Sequence, residues 1–96
     1  MIDLFGWRQS RTRERALAAA LAANELALKQ GLVRARLAAG LTQAEVAATI
    51  GVDERTISQL ERSESNPRLS MLRYYAHAVG CEIRFDVVEF EWEKAA

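Results

Sequence analysis

The stretch LTQAEVAATIGVDERTISQLE, Leu41–Glu61, decides how this chain is read. Thr42 followed three residues later by Glu45 is a capping box, in which the hydroxyl takes one open N–H at a helix start and the carboxylate reaches back for another. Val46 and Ile50 then fall on one side of a helix, and Gly51 stands where a residue with positive φ ends it. Asp53 can cap a second helix, whose inward side is Ile57 and Leu60 and whose Arg55, Thr56, Gln59 and Arg62 face away. Two helices crossing at roughly 100–120° must bring their backbones close at the corner, and Ala47 permits that approach. Val46, Ile50, Val52, Ile57 and Leu60 fill the angle, so the stretch spells a helix, a tight turn and a second helix.

Working outward, SRTRERALAAALAANELALKQ from Ser10 is rich in strong helix formers, with Leu17, Leu21 and Leu28 on one side, and reads as a helix. Met1–Trp7 has no period and reads as irregular. Gly31 either breaks this helix or leaves a weak point in it, at about 1 kcal/mol. Leu28, Leu32, Ala35 and Ala39 keep the helical period up to Gly40. On the other side, SESNPRLS is loop chemistry, and Leu69, Leu72, Ala76 and Val79 mark a further amphipathic helix closed by Gly80. The period then changes. CEIRFDVVEFEWE alternates, with Ile83, Phe85 and Val87 on one face and Glu82, Arg84 and Asp86 on the other, as in a half-buried strand. A lone strand leaves its backbone unsatisfied, so this one implies a partner strand from a second copy.

Half of the 96 residues are hydrophobic and 27% are charged, which fits a globular chain rather than a disordered one. No apolar run reaches the roughly 18–20 residues that span a bilayer, and no secretory leader is apparent, so a cytoplasmic protein is expected. Cys81 is the only cysteine, which excludes an internal disulfide, and a small apolar role is the simpler reading of it. The net charge of zero conceals a split. Residues 1–80 carry eleven Lys and Arg against eight Asp and Glu, whereas residues 81–96 carry two against five. His77 is the only histidine and has no ligand spacing around it, and neither a phosphate-cradling glycine loop nor a nucleophile motif is present, so no enzyme, cofactor or metal site is expected.

The Leu41–Glu61 stretch strongly resembles the helix-turn-helix of the XRE family, the lambda-repressor-like and Cro-like DNA-binding proteins, and the likeness extends from about Leu32 to Val79. It implies a mainly α fold: a five-helix lambda-repressor-like bundle whose third helix reads the major groove, here with an N-terminal helical extension and a C-terminal β-strand pairing across a dimer. The expected division is 1–30 for the extension, 31–80 for the DNA-binding domain and 81–96 for the dimerisation strand and acidic tail. Arg36 and Glu61 fall where many members place a buried ion pair. Arg68 departs from the family, which more often has a small capping residue there. LSMLRYYAHAVGCEIRFDVVE is similar to the part of HigA-like and HipB-like antitoxins where a final helix leads into an intersubunit strand.

The expected mechanism follows residue by residue. Arg55, Thr56 and Gln59 are candidates for base edges, since Arg pairs with guanine, Gln with adenine, and the Thr methyl meets that of thymine. Glu54 either accepts from cytosine or only favours the helix N-terminus; Asp53 stands beside it. Thr42 and Gln43 open the preceding helix, where a phosphate is favoured, and Arg62 and Arg68 are further phosphate candidates. Ile83, Phe85, Val87 and Phe90 are the candidate dimer contacts, and packing against their own helices is the alternative. The expected partners are therefore double-stranded DNA carrying an inverted-repeat operator, a second copy of the chain and a cognate toxin, with no membrane. Phe5 and Trp7, or the acidic Glu89, Glu91 and Glu93, are the candidate toxin surfaces. A stand-alone or phage-type regulator, or an interaction module that has lost DNA, are the alternatives.

Overall fold

The computed structural model describes residues 4–94, with side chains from Arg11 onward. Among these residues the chain is mainly helical, with α1 at Leu4–Ala38, α2 at Gln43–Ile50, α3 at Glu54–Leu60, α4 at Leu69–Val79 and one 3₁₀ turn at Trp92–Lys94. The corner forms as its residue types require. The Thr42 hydroxyl accepts from the Glu45 N–H at 3.1 Å, and the Glu45 carboxylate accepts from the Thr42 N–H at 3.1 Å. At the far end of α2, Gly51 has φ +88° and the Ala47 carbonyl accepts from both the Gly51 N–H at 2.8 Å and the Val52 N–H at 3.0 Å. A Cβ at Gly51 would meet nothing within 4 Å. The cost of Gly51→Ala is therefore torsional, and chemical denaturation should show a loss of about 1 kcal/mol.

Asp53 opens α3 with extended backbone but makes no side-chain capping bond, contrary to expectation. The Thr56 N–H that its carboxylate would have taken donates instead to the Asp53 backbone carbonyl at 2.9 Å.

The expected five bundle helices behind a separate extension are reduced to four α-helices in all among the described residues, because no α-helix follows α4 and the extension and the first bundle helix are one continuous α1. It begins at Leu4 rather than Ser10, and so includes most of the segment expected to be irregular. It also runs through Gly31, whose single-residue penalty is small beside the packing of its neighbours. Leu32 is buried there, with Leu28 and Ala35 packed on the core. The core takes Val46 and Ala47 from α2, Ile57 and Leu60 from α3, and Leu72, Tyr75, Ala76 and Val79 from α4. Burying these side chains drives the bundle together at about 25 cal/mol per Å² of apolar surface. Three expected core-facing residues lie elsewhere: Leu69 is 66% exposed and Leu21 56% exposed, and Ala39 is exposed after the end of α1. Leu69 is the first residue of α4, where the helix has not yet reached the core, and Tyr75, fully buried, fills the space further along.

Leu26–Phe85 forms one compact unit, and the flanking segments up to Glu25 and from Asp86 form the other. In the first, Ile83 packs on the core of its own chain, and Cys81, a half-buried free thiol, packs there too. No strand forms between residues 81 and 91. A strand exists only through hydrogen bonds to a neighbour, and no other segment among the described residues pairs with this one. Phe85 is left 61% exposed and Val87 wholly so. In the second unit Phe90 stands edge-on to Trp92, their centroids 4.8 Å apart, and the Arg13 guanidinium lies 5.9 Å from the Trp92 ring. The side chains of Phe5 and Trp7 fall outside those described.

Candidate nucleic-acid interface

Helix α3 turns Ile57 and Leu60 inward, and that single choice fixes what it shows to solvent. Asp53, Glu54, Arg55 and Gln59 are exposed, and Thr56 is half-buried. Thr56, Gln59, Arg62 and Arg68 line one groove of about 570 Å³, together with Asn66 and Ser70 from the loop and the start of α4. The structure thus gathers a hydroxyl, an amide and two guanidinium groups around one concavity. Arg55, Glu54 and Asp53 stand outside it, at the exposed N-terminal end of α3.

The exit of α3 is held by a polar cluster. Arg36 Nε donates to Glu61 Oε2 at 2.8 Å and Arg36 Nη2 to Glu61 Oε1 at 3.0 Å, a two-pronged pair with side chains only 11% and 9% exposed. Gln43 Nε2 donates to Glu61 Oε1 at 3.0 Å and the Tyr75 hydroxyl to Oε2 at 2.7 Å, while Arg36 Nη1 donates to the Leu41 carbonyl at 2.9 Å. Helices α1, α2 and α4 therefore all meet at the residue that ends α3. Burial raises the Glu61 pKa, but the hydrogen bonds from Arg36, Gln43 and Tyr75 outweigh it and hold the carboxyl below its ordinary range. The Tyr75 hydroxyl, buried and donating to that carboxylate, is pushed far up and stays protonated. The hydrogen bond to Glu61 likewise raises Arg36.

This places Gln43 differently from expectation. Its amide is not free to aim wholly at a phosphate, since one of its two N–H groups is spent on Glu61. The other, with the open N–H groups that every helix start presents, remains at the head of α2. The Thr42 hydroxyl is likewise engaged, in the capping box.

One residue of the cluster escaped the sequence reading altogether. Lys29 is 6% exposed, and its ammonium donates to the carbonyls of Arg62 at 3.0 Å, Ser63 at 2.7 Å and Ser65 at 2.9 Å. A signal was present: Lys29, Leu32 and Arg36 share one face of α1, so Lys29 lies on the buried stripe. His77 is exposed, and among the described residues no group of His, Cys, Asp and Glu could hold a metal ion. No helix among them is long and apolar enough to cross a membrane.

The geometry has the matching family behind it. The model of the helix-turn-helix family matches residues 32–85, more than half of the chain and all of the corner and its supporting helices. The chain belongs to the helix-turn-helix family. Two curated relatives of this XRE-type helix-turn-helix chain are named antitoxin HigA1, from Mycobacterium tuberculosis strains CDC 1551 / Oshkosh and ATCC 25618 / H37Rv. Each is 39% identical over 57 residues, which is 59% of this chain and 38% of the relative. The helix-turn-helix chain therefore spans well under half the length of the relatives it matches. No solved structure matches it significantly.

Proposed function

We propose that this helix-turn-helix protein is a sequence-specific DNA-binding repressor, and that it is the antitoxin of a toxin-antitoxin pair, repressing its own operon and neutralising a ribonuclease-type toxin. The observation that carries the DNA reading is α3: its inner face is locked by Ile57 and Leu60, its exit is held at Glu61, and its outer face offers Arg55, Thr56 and Gln59. A rigid helix bearing such side chains is what major-groove readout requires. Arg62 and Arg68, flanking the groove, would take phosphates, as would the start of α2 at Thr42 and Gln43. Asp53 and Glu54 would lie at the edge of the contact, where their charge rejects misplaced phosphates.

In this reading residues 31–80 form the DNA-binding domain, 1–30 the extension and 81–96 a dimerisation segment with an acidic tail. The exposed Phe85 and Val87 are its natural dimer contacts, whereas Ile83 and Phe90 already have partners within the chain. Two copies would read half-sites of an inverted repeat about 34–36 Å apart. A cytoplasmic, nucleoid-associated bacterial protein follows. The relatives' name supports the antitoxin part, with Glu89, Glu91 and Glu93 available to a basic toxin.

Fluorescence anisotropy with the duplex upstream of the gene tests the proposal: a complex that weakens steeply with salt is expected. Absence of such a complex at any specific site would leave an interaction module instead. Within that assay Arg55→Ala should relax the choice at one base pair, with a loss of about 1–3 kcal/mol. Gln43→Ala should weaken all sequences alike. Equal loss on every duplex from the Arg55 change would remove it from the base-reading set.

A further inference from the structure

We propose that Lys29 is a positioning residue for the DNA-reading face, a cation supplied by α1 that folds the exit of α3 and sets where Arg62 stands; the DNA half of this rests on the function proposed above. A lysine is almost never buried unless paired, and bringing its charge out of water costs several kcal/mol. Here no carboxylate lies within ion-pair distance of it among the described residues. The ammonium is satisfied by neutral oxygens alone: the three carbonyls of Arg62, Ser63 and Ser65, and Ser65 Oγ at 3.1 Å. Ser65 Oγ in turn donates to the Leu60 carbonyl at 2.6 Å, which closes the arrangement over the last residue of α3.

These carbonyls belong to the turn that follows α3, and each oxygen carries partial negative charge and a second lone pair, so a buried cation among them is well matched. Three carbonyls converging on one positive centre is a chelate, and it forces the chain after Glu61 to wrap. The wrap is visible in the backbone, where the Arg62 N–H donates to the Gln59 carbonyl at 3.2 Å and the Ser65 N–H to the Arg62 carbonyl at 3.1 Å. Arg62, whose carbonyl Lys29 holds, lines the same groove as Gln59 and Thr56. The link between Lys29 and the groove is therefore one residue long. Arg36 grips Glu61 from two helical turns further along α1, so the same helix holds the exit of α3 at two points.

The test uses the full chain. Lys29→Met keeps the stem and removes the charge; Ser65→Ala is the milder companion should the first fail to fold. Amide hydrogen exchange is expected to rise about tenfold or more at Arg62 and Ser65 in the variant, with α2 and α4 unchanged. With the upstream duplex as probe, the slope of log affinity against log salt should fall by about one, the share of a single phosphate contact. Exchange that stays at the wild-type level in both variants, or rises evenly through Leu26–Phe85, would overturn the proposal, and so would an unchanged salt slope alongside local exchange. A wild-type chain that binds no duplex counts against the functional reading instead, and shows itself before any variant is made.

Discussion

Glu61→Ala is expected to lower the unfolding free energy by about 3 kcal/mol, measured by urea titration at neutral pH. The carboxylate is the sole ionic partner of a nearly buried Arg36, and removing one member of a buried pair leaves the other charge uncompensated. The loss should be a large part of the roughly 5–15 kcal/mol that a domain of this size commands. Because each single change leaves the other charge buried without its partner, the double change Glu61→Ala with Arg36→Met should cost less than the two singles added together. The pH dependence follows from the depressed Glu61 pKa. Its contribution is fully present above the ordinary carboxyl value of 4.5 and is lost as pH falls through the lower folded value. Wild-type stability should therefore fall in that acid range, and Glu61→Gln should flatten the fall. An equal acid slope in the variant would assign it to other carboxylates.

Ile57→Ala should have a comparable effect through a different cause. Ile57 is fully buried at the middle of α3, and truncating such a side chain costs about 2–5 kcal/mol through lost transfer energy and the cavity left behind. The reading face should loosen with it, since Ile57 and Leu60 together fix which side of α3 turns outward. Gln59→Ala is the control: exposed, and expected to stay within about 0.5 kcal/mol of wild type in stability while weakening the DNA complex. If Ile57→Ala melts with wild-type stability, α3 is not held by this core.

What the sequence disclosed was whatever local pattern dictates. The capping box at Thr42 and Glu45, the reversed torsion at Gly51 and the inward Ile57 and Leu60 each depend on a few neighbouring residues, and each is present. Arg36 and Glu61 are 25 residues apart and were legible only through family likeness. Lys29 was missed because its acceptors are backbone carbonyls 33 to 36 residues away, and a carbonyl leaves no mark in a sequence. Tyr75 was missed because its hydroxyl argues for a surface place until the Glu61 carboxylate is known to face it. Gly31 could not be resolved by propensity, as a penalty near 1 kcal/mol is decided by what its neighbours bury. The alternation after Gly80 did not carry into the fold: Ile83 packs on the core while Phe85 and Val87, expected on the same face, are exposed, and no strand forms there.

The chelate of Lys29 has a practical corollary. Dissolved ions screen charges that water reaches, and this one is walled off, whereas Arg55, Arg62 and Arg68 are not. Concentrated brine should therefore elute the protein from immobilised duplex with its reading head still shaped for rebinding.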